Sequence, residues 1–300
     1  MLDCCKICNQ KSPEQNHFWK VHKIKLSNYI ISYYPKINKL TGKQLEFKSI
    51  DQYFTQDFNS RQELREWSEK NPSKTNSYLT EYLINRKKYK NIKYLPSQFE
   101  TKGLIFPTIS YILYHDKNIL NFLSKESGLE IKYDYNQKLI FNNNKLDIII
   151  DTREQKPLDF EEYTVNKLQQ GDYKASNSTQ NITVDRKDLT DFIGCMSGGY
   201  ERLSREIERA KEAGEYLVLL LETSFNDLLT FKEKRWLKFV KASSDFILHR
   251  TRDLLQKHDN LQIICVENRS EAKRIISKIF NLENPIQTVD LQYFIDIQKM

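Results

Sequence analysis

Residues 146–154 read Leu-Asp-Ile-Ile-Ile-Asp-Thr-Arg-Glu, and residues 181–187 read Asn-Ile-Thr-Val-Asp-Arg-Lys. Each is a short apolar run closed by charged side chains. Lys145–Asp151 predicts a buried strand, because its consecutive isoleucines are β-branched and too few for a helix. In Asn181–Asp185, Ile182 and Val184 alternate with polar neighbours, the period of a strand. Between them, Tyr163–Leu168 and Asp172–Ala175 predict a second extended pair. A helix is expected from Asp188, pausing at Gly198-Gly199. It resumes over Tyr200–Ala213, where Leu203, Ile207 and Ala210 share one face and Gly214 stops it. Further on, Tyr216–Leu221 predicts a buried strand and Arg235–Lys257 a mostly helical stretch. Leu261–Glu267 predicts a strand and Ser270–Phe280 a helix. Strands alternating with helices imply an α/β fold with a mixed central sheet flanked by helices.

The remainder of the chain bounds the function. Three hundred residues suit two domains. Eight Gly and seven Pro exclude collagen-like and low-complexity classes, and 12% aromatic residues argue against a disordered chain. No apolar run is long enough for a membrane span, and the N-terminus lacks a signal-peptide pattern, so a soluble intracellular protein is expected. Residues 1–144 carry a net charge of +9 and residues 145–300 of −2. A basic front half suits a polyanion such as nucleic acid. A lysine-rich composition alone, with Lys making up 34 of 47 cations, gives a similar excess.

Cys4, Cys5 and Cys8 crowd the N-terminus, while Cys195 and Cys265 stand alone in apolar surroundings that suit a core. An odd count without a secretory signal argues for metal rather than disulfides. Cys5-x2-Cys8-x8-His17-x4-His22 offers two thiolates and two imidazoles, a set that suits tetrahedral zinc, with both histidines on a helix over Asn16–Lys23. Cys4 is an alternative to Cys5. So small a unit needs such a staple to stay folded. In the middle region, helices are expected at Arg61–Glu69, Asn76–Lys90 and after Pro107. Ile84–Tyr94 interleaves five cations with two tyrosines, a mix that tracks phosphates and stacks bases, or that solvates a helix end. His115, His249 and His258 have no ligand spacing.

Five acids fall at predicted strand ends or in the following helix: Asp151, Glu154, Asp172, Asp185 and Asp191. Adjacent strands bring Asp172 and Asp185 together at one edge. Two such carboxylates repel, so the pair calls for a divalent cation or a shared proton. An oxygen-only ligand set suits Mg²⁺ or Mn²⁺. Lys187 lies two residues beyond Asp185, on the same strand face. It can orient a water, meet charge developing on phosphorus or, with a lowered pKa, act as a base. The alternative is a set of acids that cap strands and helices.

The order Ile150-Asp151-Thr152-Arg153-Glu154, Gly171-Asp172-Tyr173, Asp185-Arg186-Lys187 with Asp191, then Gly199-Tyr-Glu-Arg202-Leu203, resembles the nuclease domain of the XPF family of structure-specific endonucleases. That family is a branch of the PD-(D/E)XK nucleases. The resemblance implies a restriction-endonuclease-like domain over 145–283 that cleaves branched, flapped or site-specific DNA with Mg²⁺ or Mn²⁺. It implies metal ligation by Asp151, Asp172 and Asp185, a catalytic Lys187, an Arg153 that meets phosphate or braces the acids, and supporting roles for Glu154 and Asp191. DNA is the implied partner, with a homodimer through the nuclease domain as a further expectation. Residues 1–35 resemble zinc fingers of the C2H2 and Ros/MucR type, and residues 36–140 form a basic, mainly helical region expected to bind DNA. Three departures stand out. Asp185 replaces the family's Glu, no tandem helix-hairpin-helix pattern follows the nuclease domain, and the loop between Cys8 and His17 is shorter than in those fingers. The alternative function is a DNA-binding protein with an inactive nuclease fold.

Overall fold

The computed structural model describes residues 4–47 and 50–300, and the chain divides into two units. One runs to Lys93 and adds Leu104–Pro107 and Leu120–Leu129. The other comprises Tyr94–Gly103, Thr108–Ile119 and Glu130–Met300, so it takes in three stretches of the basic middle region.

The N-terminal unit is helical: α1 (Gln15–His22), α2 (Leu26–Tyr33), α3 (Ile50–Thr55), α4 (Arg61–Lys70) and α5 (Pro72–Lys90). Ser60 caps α4 by accepting from the Glu63 N–H, and the Glu63 carboxylate in turn accepts from Asn38 and from the Asn59 N–H. Pro72 starts α5 where no N–H partner is needed, four residues ahead of the predicted start, and Asn91 ends it in the left-handed region. Phe58, Leu64, Tyr78 and Leu83 are buried between these helices.

The second unit begins with α6 (Gln98–Lys102) and α7 (Ile109–His115); α8 (Ile119–Ser127) lies almost wholly in the first unit. Its sheet has the order β2-β1-β3-β4-β5-β6, from β1 (Ile148–Asp151), β2 (Tyr163–Asn166), β3 (Tyr173–Ala175), β4 (Ile182–Lys187), β5 (Tyr216–Glu222) and β6 (Leu261–Val266). β4, β5 and β6 are parallel. Such strands are covered on both faces, which explains why β5 and β6 are apolar but for Glu222 and Gln262. The predicted pairing of Tyr163–Leu168 with Asp172–Ala175 is corrected: β2 and β3 flank β1, one parallel and one antiparallel. The connection is too short to cross over a neighbour, but long enough to pass around the end of β1.

Six helices complete this unit: α9 (Leu189–Ser197), α10 (Tyr200–Glu212), α11 (Phe225–Leu229), α12 (Ser244–Lys257), α13 (Arg269–Phe280) and α14 (Leu291–Asp296). Leu217, Leu219 and Leu221 of β5 join Phe192, Met196, Ile207 and Ile247 in one core. Ala272, Ile275, Ile276 and Ile279 of α13 are buried, and α13 packs on β5 and β6. The helix expected over Arg235–Lys257 begins only at Ser244, after Ser243 caps it. Residues 235–243 instead turn with Leu237 buried and Trp236 and Phe239 outward, an order that 3.6-residue spacing cannot hold. Buried Asp290 caps α14 and accepts from the Gln98 N–H and Tyr135 hydroxyl, tying α6 and Tyr135 to the end of the chain. Among the described residues, no helix is long and apolar enough to cross a membrane.

Candidate active site

Sheet register sets three aspartates in a row. Ile150 pairs with Tyr173, and Tyr173 with Val184. One step further, the Asp151 N–H donates to the Asp172 carbonyl at 2.9 Å, and the Asp172 N–H to the Val184 carbonyl at 2.9 Å. Asp172, just ahead of β3, thus sits between Asp151 at the end of β1 and Asp185 on β4, with its carboxyl close to that of Asp185. Gly171 permits this approach. Its φ is +65°, and a Cβ there would sit 2.5 Å from Thr183 Cγ2 and 3.0 Å from the Val184 carbonyl oxygen.

The three carboxylates differ in environment. Asp151 is buried, and its two oxygens accept from the Arg153 N–H (2.7 Å), Nε (2.7 Å) and Nη2 (3.1 Å) and from the Leu168 N–H (2.6 Å). Burial pushes this carboxyl up, but those donors outweigh it and hold it below the usual range. Four donors fill the acceptor sites of one carboxylate. Asp172 accepts from the Arg186 N–H at 2.8 Å. Burial, reinforced by the Asp185 charge, pushes Asp172 up to about 8. Asp185 is buried, its Oδ1 accepts from Lys187 Nζ at 3.0 Å, and its Oδ2 lies 2.8 Å from the same ammonium. Two buried carboxyl groups this close, offering only oxygen donors, fit a divalent cation. Burial disfavours the Lys187 ammonium, yet Asp185 more than compensates and raises its pKa. The side chain is thus held as a cation rather than made a base.

The other sequence candidates are spread around this row. Arg153 braces Asp151 and donates to the Leu168 carbonyl. Glu154 pairs with Arg186, whose guanidinium also meets Glu222 and the Lys156 carbonyl. Arg186 alternates with Asp185 and Lys187 along β4, so this cluster serves the opposite sheet face. Asp191 is exposed in the first turn of α9, and its carboxylate makes no hydrogen bond or ion pair among the described residues. One further acid joins the site. Glu206 of α10 is half-buried, and burial and then the Asp185 charge push its pKa up. Its position three residues after Leu203 and four before Ala210, on the apolar face, was the available signal.

Residues 150–279 match the family model described as the ERCC4 domain. This part of the chain is similar to ERCC4 domains. The match spans all the acids above. Two solved structures of XPF from Aeropyrum pernix are also similar. The one in complex with DNA has a TM-score of 0.35 and 16% identity over 45% of this chain and 64% of its own. The other has a TM-score of 0.34 and 18% identity over 44% and 58%. The chain thus spans less than two thirds of the length of either. No curated protein matches it.

Outside the matched residues, Cys5, Cys8, His17 and His22 bring one donor atom each within 4.8 Å of one another. Cys5 Sγ lies 3.4 Å from His22 Nε2, Cys8 Sγ lies 3.4 Å from His17 Nε2, and the two Nε2 atoms are 3.2 Å apart. Zinc bond lengths in a tetrahedron predict about 3.6 Å for N···S and about 3.3 Å for N···N edges, so the donors fit. Burial raises the Cys5 thiol pKa, but the Cys8 and Ile7 N–H groups and His17 bring it down to about 6. Cys4 Sγ instead donates to the Cys5 carbonyl, outside the cluster. Cys5, Phe18 and Tyr29 form a small core beside it.

In the Ile84–Tyr94 stretch, Arg86 is buried, Lys87 donates to the Gly128 carbonyl at 2.6 Å, and Tyr89 stacks on Phe54. Three of its side chains therefore serve the fold. Cys195 and Cys265 are buried. His258 meets Ser204 Oγ at 3.1 Å and His249 pairs with Asp253.

Proposed function

We propose that the chain is a Mg²⁺- or Mn²⁺-dependent DNA endonuclease acting on branched, flapped or site-specific DNA, with a structural zinc on Cys5, Cys8, His17 and His22. The observation that carries the reading is the closeness of the Asp172 and Asp185 carboxyls, with the Lys187 ammonium 2.8 Å from Asp185. The similarity to ERCC4 domains and the basic front half support DNA as the substrate.

Asp172 and Asp185 would hold the divalent ion. When bound, such an ion polarises a phosphoryl oxygen and lowers the pKa of a water. Lys187, kept protonated, meets the negative charge that builds on the phosphoryl oxygens. With an ion held there, Asp172 would no longer need a proton to offset the Asp185 charge. Asp151 and Arg153 form a clamp that fixes the turn after β1, and Asp151 reaches an ion only by releasing that clamp. The clamp is also the one observation favouring the alternative, a DNA-binding protein with an inactive site.

The test is incubation with Mg²⁺ or Mn²⁺ and a panel of flap, fork, four-way-junction and linear DNAs, beside Lys187→Ala and Asp172→Asn. The wild type should cut at least one substrate, and each variant should lose about 10²–10⁴-fold while still binding it. Equal cutting by all three proteins, or none by the wild type, overturns the reading.

A further inference from the structure

We infer that the loop between α11 and α12 binds unpaired nucleotides, with Trp236 and Phe239 stacking on bases and Arg235, Lys238 and Lys241 meeting the phosphates. The inference rests on nucleic acid being the ligand proposed above, but not on cleavage.

Topology places the loop. β4 and β5 are parallel, with Lys187 paired to Leu221. The chain leaving β5 after Glu222 therefore emerges from the same sheet edge at which β4 presents Asp185 and Lys187.

Charge and exposure give it a ligand. Trp236 is 69% exposed and Phe239 87% exposed, a large apolar area for a protein to leave in water without a partner. Residues 230–243 have a net charge of +4, within a half of the chain whose net charge is −2. Lys232 and Lys234 are used internally: Lys232 donates to the Val240 carbonyl, and Lys234 pairs with Asp227 at 2.8 Å. Arg235, Lys238 and Lys241 are exposed and make no ion pair among the described residues.

The loop is held in shape before any ligand arrives. Phe231 and Leu237 are in the core, with Val240 and Ala242 packed against it. Ser244 Oγ closes the base by donating to the Leu229 carbonyl at 2.7 Å. Preorganisation reduces the entropy lost on binding. Flat rings spaced by cations suit a polyanion with free planar faces, which is single-stranded nucleic acid. Duplex DNA keeps its base faces stacked inside and offers these rings no free planar partner.

The experiment measures binding of labelled single-stranded, forked and fully duplex DNA by fluorescence anisotropy, without added Mg²⁺ or Mn²⁺ so that nothing is cut. The full-length wild type is compared with Trp236→Ala/Phe239→Ala and with Trp236→Phe, which keeps a ring. The double alanine variant should bind single-stranded and forked DNA about 10- to 100-fold more weakly, with duplex affinity within about twofold. Trp236→Phe should retain most of the affinity. Unchanged single-strand binding in the double variant, an equal loss on duplex, or no single-strand binding by the wild type overturns the inference. So does a change in sedimentation of the DNA-free double variant, which would mark the patch as a self-association surface. A wild type that binds single strands through these rings yet cuts no DNA would sink the nuclease reading and leave this one standing.

Discussion

The carboxyl of Asp172, just ahead of β3, lies within hydrogen-bonding reach of that of Asp185 on β4. Their proximity is unfavourable unless a proton or a cation lies between them. Burial and the Asp185 charge push Asp172 up to about 8, whereas the unfolded chain titrates near ~3.9. The folded state thus binds this proton more tightly. Its contribution to stability is complete below about pH 4 and is lost as pH rises through about 8.

Asp172→Asn should abolish that dependence. Without added divalent ions, the wild type should lose stability between pH 5 and pH 8 relative to the variant, by on the order of 1–3 kcal/mol. Urea titrations at both pH values measure it. Adding Mn²⁺ at pH 8 should stabilise the wild type and leave the variant unchanged. Parallel pH profiles would show that the two acids do not couple.

Gly171→Ala should destabilise the domain and displace Asp172. The left-handed backbone and the approach to Thr183 and the Val184 carbonyl leave no room for a methyl group. A loss of about 1–3 kcal/mol is expected from such strain. Thermal unfolding checks it, and wild-type stability in the variant would contradict the close approach.

Elemental analysis of the purified protein should find one zinc per chain. Cys8→Ala should lose it and expose the segment around Cys5, Phe18 and Tyr29 to protease. Cys4→Ala should keep it, since that sulfur lies outside the cluster. Zinc retained in Cys8→Ala would exclude this ligand set.

Much of the site was legible because strand residues speak through alternation. Ile182 and Val184 fix which face Asp185 and Lys187 share, and Gly-Asp marks where the chain can approach β4. Bracing by Arg153 was among the expectations, but the Leu168 N–H on Asp151 was not legible, because β2 delivers it only after passing around β1. Pairing between strands is a long-range property that periodicity does not carry. Asp191 shows the reverse case: its spacing matched a motif, while its place in the first turn of α9 leaves it in solvent. In 235–243 the apolar residues suggested a helix, yet half of them face outward, and burial cannot be read from composition alone.

The central claim is that Asp172 and Asp185 jointly hold one divalent ion. Titration of Mn²⁺ into the zinc-loaded protein, followed by electron paramagnetic resonance, tests it most directly. One further site per chain is expected, weakened at least about 100-fold by Asp172→Asn and by Asp185→Asn alike, and untouched by Asp191→Asn. Wild-type Mn²⁺ affinity in both of the first two variants would contradict the claim.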